Sequence, residues 1–314
     1  MKQNEEMLTK VLTPKEFIAF QEAIQSQSPF WATGKRNRFS NFFSMKNFED
    51  LVNQSGIWTP DRFEIYLDAK KMPPHNYFSQ MSTQGPPKNK LFEMGLQQFL
   101  DRGASIVLND IDTLTPGLKT LRKMLTDFTG GKVECNLYYS QTNHQAFPLH
   151  FDVHDVYAFQ VSGEKRWHVY EQISPYPINH INFRGLGKEA HEKNKGKITQ
   201  DIVMQRGDFF YLPAGFYHQA ICTGNASLHL SFSSVEMIGL EVISQLYEAA
   251  VKEAAFRAPI NRGLLNKDLG LEDYLEQLAI KFTKLLGEET FVENIKNQLK
   301  QYPYPHHKIK LPRK

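Results

Sequence analysis

The sequence predicts an α+β protein with a β core near residues 132–234, an α/β segment before it and a helical region after it. Three observations carry this expectation. Apolar residues recur with helical spacing before about residue 130 and again after Ser234, and with strand spacing in between. Seven short apolar runs, punctuated by Gly, Pro, Asn and Asp, fall in that central stretch and suggest a barrel or a sandwich. Aromatic residues make up 12% of the chain, led by 23 Phe and 13 Tyr, which suits a β-rich core or a lined pocket. The 314 residues are 41% apolar and 23% charged, ordinary globular values that set aside a disordered or fibrous protein.

Taken in order, the first helix is expected over residues 14–26, with Thr13 as N-cap and Pro14 at the first helical position. Residues 30–88 are mixed, with a short helix near 45–52, a strand near 63–67 and a polar loop at 81–88. Helices are expected at 90–102 and 116–128, with a buried strand at 104–109 between them. The core strands are expected at 133–139, 156–161, 166–171, 201–204, 208–212, 218–222 and 227–233. The stretch from Val156 to Trp167 reads as a strand, a tight turn and a return strand, with Lys165 at the exit of the turn. Residues 173–200 read as a long polar insertion, of the kind that often lies over a functional site. Helices follow at 235–256, 271–286 and 289–301, then an exposed basic tail at 302–314. The domain reading is an N-terminal α/β part at 1–131, a β core at 132–234 and a helical region at 235–314.

The chemistry concentrates in the core. His150 and Asp152 stand two apart on an expected strand, so their side chains face the same way. An apolar strand between the turns at Gly207-Asp208 and Pro213-Ala214-Gly215 then delivers His218 at the start of the next strand. Two histidines and one carboxylate form the facial triad that holds non-haem Fe(II) and leaves three positions open. A zinc site with the same ligands is the alternative on ligand count. Asn136 and Tyr138 share a strand face, and an Asn within a strand needs a hydrogen-bond partner if buried. His229 and Trp167 read as core residues, and His144 and His154 as loop histidines flanking the triad.

Together these residues resemble the JmjC-type cupin oxygenases that use Fe(II) and 2-oxoglutarate, and within them the ribosomal-oxygenase branch, whose members hydroxylate ribosomal proteins. The resemblance covers residues 90–234 and rests on Gly103 to Asn109, Asn136-Leu137-Tyr138, His150-Phe151-Asp152, Gln160 to Trp167, Gly207 to Ala220 and Ser227 to Ser231. It implies a double-stranded β-helix (cupin or jelly-roll) core. It also implies iron ligation by His150, Asp152 and His218. Lys165, fifteen residues after His150, would pair with the distal carboxylate of 2-oxoglutarate. Asn136 and Tyr138 would line the cosubstrate pocket, with Ser231, or else Ser227, reaching the same carboxylate.

The implied reaction couples oxidative decarboxylation of 2-oxoglutarate by O₂ to hydroxylation of a C–H bond on a protein side chain, with a ribosomal protein as the substrate the branch implies. Peptide or small-molecule oxygenation, N-methyl demethylation and a non-catalytic ligand-binding cupin stay open as alternatives. The family's C-terminal part combines dimerisation helices with a winged-helix module. The roughly eighty residues here suffice for the helices, so a homodimer with a reduced or missing winged helix is expected. The N-terminus lacks the apolar core of a signal peptide, no apolar run is long enough for a bilayer, and Cys135 and Cys222 are the only cysteines. A cytoplasmic protein with no membrane partner is therefore expected. A net charge of +3 neither requires nor excludes nucleic-acid contact.

Overall fold

The computed structural model describes residues 10–81, 88–142, 144, 146–172, 174–266 and 270–303. The polar loop expected at 81–88 and the basic tail expected at 302–314 fall largely outside these residues. The chain forms two compact units, Met1–Thr129 with Val133–Val235, and Gly130–Lys132 with Glu236–Lys314.

Helix α1 (Pro14–Ser26) opens the first unit. Thr13 caps it reciprocally: Glu16 N donates to Thr13 Oγ1 at 3.3 Å, and Thr13 N donates to Glu16 Oε2 at 2.7 Å. The face with Phe17, Phe20 and Ala23 is buried. Phe20 packs edge-on against Tyr157, Phe209 and Tyr211 of the core. Next come β1 (Phe30–Ala32), α2 (Met45–Val52), β2 (Phe63–Leu67), β3 (Lys70–Lys71), β4 (Phe78–Met81) and β5 (Lys88–Leu91). Helix α3 (Glu93–Leu100), β6 (Ser105–Leu108), α4 (Pro116–Thr129) and β7 (Lys132–Gln141) lead into the core. The helix expected from residue 90 starts later because Lys88–Leu91 pairs with Phe78–Met81 as a strand.

The core strands are β8 (Asp155–Gln172), β9 (Ile198–Gln205), β10 (Phe209–Leu212) and β11 (Phe216–Val235). The main sheet runs β1-β10-β8-β11-β7-β6-β2-β3, with β9 added on β8. The expected hairpin at 156–167 is not a hairpin, and two strands expected separately are one. The runs at 156–161 and 166–171 are one strand, β8, and those at 218–222 and 227–233 are one strand, β11. The two pair antiparallel along their whole length, with a register shift between Cys222 and Ser227. Gly163, at φ +65°, bends β8 there, and its missing Cβ would meet Ala226 O at 1.7 Å. The Ser-Gly-Glu sequence marks a bend that both strands make together rather than a chain reversal.

The bend folds the two halves of the sheet over onto each other. The first half of β8 pairs with β10 and the second half with β9. Val156 and Ala158 then pack with Trp167, Val169, Ile202, Met204, Phe210 and Leu212 in one buried cluster. The opposite face of the first half, with Tyr157 and Phe159, packs in the cluster that also holds Phe17 and Phe20 of α1. That double burial is why this half reads as continuously apolar. The insertion is not structureless: it holds helix α5 (Lys188–Asn194) and runs into β9 at Ile198.

The second unit contains α6 (Gly239–Ala250), α7 (Ala254–Arg257), α8 (Gly270–Gly287) and α9 (Glu289–Gln301). The helix expected at 235–256 is broken at Glu253, which is extended. Leu246, Ala250, Leu285 and Phe291 form its buried core, and Phe256 lies 4.4 Å from Phe282 between ring centres. Leu240, Ile243 and Tyr247 of α6 are exposed.

Candidate active site

Three side chains converge at the mouth of the β core. His218 comes from the start of β11, and a pair of backbone hydrogen bonds fixes His150 beside it: His150 N to His218 O at 3.2 Å and His218 N to His150 O at 2.8 Å. Phe151 and Asp152 continue outside any strand, so the shared strand face expected for His150 and Asp152 is not what joins them. Instead the chain turns, and Gly215 N holds Asp152 O at 2.9 Å. His150 Nε2 lies 3.9 Å from Asp152 Oδ1, and His218 Nε2 lies 3.6 Å from Asp152 Oδ2. The three potential ligand atoms are all within 4.8 Å of one another.

The hydrogen bonds around the imidazoles select the tautomer. His150 Nδ1 donates to Pro148 O at 2.8 Å and His218 Nδ1 to Phe216 O at 3.1 Å, which leaves both Nε2 lone pairs facing Asp152. Burial, reinforced by His150, lowers the His218 imidazole to about 4, so it is neutral and ready to ligate. Burial alone would raise the Asp152 carboxyl, but His154, His150, His218 and Arg184 outweigh it and hold it below its ordinary value. Two imidazoles and a carboxylate on one side of an open mouth can hold a divalent metal.

Behind the triad is a cavity of about 270 Å³, lined by Asn136, Tyr138, Lys165, His229 and Ser231 among others. Lys165 is not an exposed turn residue. It lies mid-strand in β8, opposite Cys222, and is 3% exposed. Burial lowers its ammonium to about 8, offset in part by Cys222. It stands 5.9 Å from the Tyr138 ring centre and has no ion pair with a carboxylate among the described residues. A buried ammonium facing a cavity without an anion is a receptor for one. Asn136 Oδ1 accepts from Asp110 N at 3.1 Å. Ser231 faces the cavity, whereas Ser227 is buried and accepts from Gln160 Nε2 at 2.9 Å.

His229 reads as a core residue in the sequence, yet it lines this cavity. It stacks on Tyr138 at 4.9 Å, and its Nδ1 is buried without a hydrogen-bond partner among the described residues. Its period-two spacing with Ser231 and Ser233, both cavity residues, is the signal that marks it. Trp167 also lines the cavity and stacks on His218 at 5.6 Å. His154 reaches the cavity; His144 does not line it, lying 3.6 Å from Asp68 instead.

A sheet folded on itself around a two-histidine, one-carboxylate mouth defines a cupin. Residues 109–240 match the JmjC domain family. That stretch of the chain is similar to the JmjC-type cupins, and the fold of the chain is similar to that of a solved ribosomal oxygenase. It is 25% identical over 273 residues to a bifunctional lysine-specific demethylase and histidyl-hydroxylase NO66 of Drosophila erecta, covering 86% of this chain and 39% of that protein. The NO66 protein of Aedes aegypti is 25% identical over 198 residues, 62% of this chain and 29% of its own. The chain thus spans well under half the length of these curated relatives. Among solved structures it is similar to YcfD, a ribosomal oxygenase from Escherichia coli, with TM-score 0.56 and 16% identity over 93% of this chain and 73% of that one. The structure of YcfD with cobalt and 2-oxoglutarate matches with the same TM-score and 15% identity, a likeness of fold.

Proposed function

We propose that this chain is an Fe(II)- and 2-oxoglutarate-dependent oxygenase that hydroxylates a C–H bond of a protein side chain, with a ribosomal protein as the substrate class. One observation carries the reading: a single cavity holds both the triad and a buried ammonium that has no carboxylate partner among the described residues. His150, Asp152 and His218 would hold the metal. Lys165 would hold the distal carboxylate of the cosubstrate, with Tyr138, Asn136 and Ser231 beside it. The metal and 2-oxoglutarate, when bound, would supply the oxidation with O₂, one oxygen atom going into the substrate C–H bond and the other into succinate as CO₂ leaves.

The protein's own part is placement and exclusion of water. Val156, Trp167 and Ala220 give the cavity apolar walls, which strengthen the hold of Lys165 on an anion. The Nδ1 hydrogen bonds of His150 and His218 keep Nε2 unprotonated toward the metal position. The substrate would enter beside His150 and Asp152, the more exposed triad members. The hydroxylase and demethylase activities named for the insect relatives, and the ribosomal oxygenase named for the bacterial structure, support a protein side chain as substrate.

The exposed apolar residues Leu240, Ile243 and Tyr247 support a homodimer, which sedimentation at micromolar concentration would check. Cys135 and Cys222 are buried free thiols, which supports a reducing cytoplasmic setting; no described helix is long and apolar enough to cross a membrane.

The test is succinate formation from 2-oxoglutarate by the Fe(II)-loaded protein under air, with ribosomal-protein peptides added. Turnover stimulated by one peptide, and abolished in His150→Ala with the fold retained, is the expected result. Unchanged turnover in His150→Ala would remove the triad from the reaction.

A further inference from the structure

The insertion between β8 and β9 packs against both chain segments that carry the triad. Its first limb lies on the turn before His218. A Cβ on Gly215 would meet Ser174 O at 2.1 Å and Pro177 Cδ at 3.2 Å, and Gly215 itself sits at φ +84°, so only glycine admits this approach. The same turn is tied to the base of the insertion, where Gln172 Nε2 donates to Ala214 O at 3.1 Å. It is also tied to the triad, where Gly215 N donates to Asp152 O at 2.9 Å.

The second limb is α5. His191 Nδ1 is hydrogen-bonded to the Tyr217 hydroxyl at 2.9 Å. The His191 ring meets the Tyr217 ring edge-on at 5.5 Å and the Phe151 ring at 6.2 Å. Phe151 meets Tyr217 edge-on at 5.1 Å, completing a three-ring cluster. Phe151 separates His150 from Asp152 in the chain, and Tyr217 immediately precedes His218. One side chain of the insertion therefore touches the neighbours of all three triad residues.

The need for such a brace is visible in the backbone. Beyond the single bridge at His150, the 151–154 segment has no strand pairing to fix it. Ligand atoms about an ångström out of place lose much of their hold on a metal, so something outside the sheet must set the spacing.

We propose that the insertion is a clamp that sets the distance between the 150–152 segment and the 213–218 turn, with His191 and Tyr217 as positioning residues for the metal ligands. This rests on the reading of the triad as a metal site. The test uses Co(II) as the probe in the full chain. It follows the visible Co(II) spectrum and the rate of Co(II) release to excess chelator. His191→Ala and Tyr217→Phe are each expected to speed release about 10-fold, the low end for partners that orient metal ligands, and to change the spectrum. Tyr217→Phe keeps the buried ring, and His191 is only half-buried, so neither change empties the core. His191→Asn, whose amide oxygen can accept the Tyr217 hydroxyl, is expected to restore much of the slow release. Unchanged release and spectrum in both single variants would overturn the clamp alone. A wild-type protein that binds no Co(II) would instead remove the metal-site reading, and the clamp with it.

Discussion

Lys165 carries the sharpest consequences of any single residue. Its ammonium is buried with no carboxylate partner among the described residues, and burial lowers it to about 8. Lys165→Ala should weaken 2-oxoglutarate binding about 10- to 100-fold, the worth of a charge-assisted hydrogen bond of about 1.5–3 kcal/mol, measured by calorimetry on the metal-loaded protein. The pH dependence follows from the sign of the shift. Between pH 8 and the ordinary lysine value the folded protein has lost this proton while the unfolded chain keeps it, so stability from this group rises with pH across that window. A bound dicarboxylate reverses the imbalance by favouring the charged form. Binding at pH 9 should therefore take up about one proton, seen as a buffer-dependent binding enthalpy, and affinity should fall as pH rises through 8. His150, Asp152, His218 and Lys165 were legible in the sequence because their spacing repeats a known pattern. His229 was legible only through its period-two spacing with Ser231 and Ser233, because a lone histidine on an apolar strand looks the same whether it faces a cavity or the core.

Among the elements, β8 and β11 show where sequence reading stops. Their apolar periods were legible, and so were the breaks at Ser162-Gly163 and near Gly224. A glycine at positive φ, however, serves a hairpin turn and a strand bend equally, and only the pairing partner tells them apart. The partner is the other strand, bent at the same place. This makes a prediction that a hairpin would not. Gly163→Ala should destabilise the protein by more than about 2 kcal/mol in denaturant unfolding, because its Cβ would run into backbone at Ala226 O, 1.7 Å away, as well as adopt a strained φ. A solvent-facing turn would tolerate the change at a smaller cost. The insertion was legible as an element over the site, but α5 within it was not, since seven residues give too little periodicity to separate a helix from a polar loop.

For the whole molecule, metal and fold should be linked. The triad unites residues far apart in the chain, so the unfolded chain offers no comparable site. Adding Co(II) or Fe(II) at about a hundred times its dissociation constant should stabilise the first unit by about 2.7 kcal/mol, read as a rise in thermal midpoint that a chelator reverses. A midpoint indifferent to metal would mean that the three residues do not form a site in solution. The architecture was predictable as an α+β protein with a central β core. The joining of β1, β2 and β6 to the core sheet was not, because their partners lie up to about 180 residues away and no local period reports them. The bend shared by β8 and β11 also bears on how the protein can come apart. These two strands carry Lys165, Trp167, His218 and His229, and each runs unbroken through both halves of the folded sheet. The strand walls of the cavity thus have no seam along which part of the core sheet can open while the rest stays closed. Amide protons of Trp167 and Leu230 should escape to solvent only when the whole unit unfolds, so the strand walls of the site stay as long-lived as the fold itself.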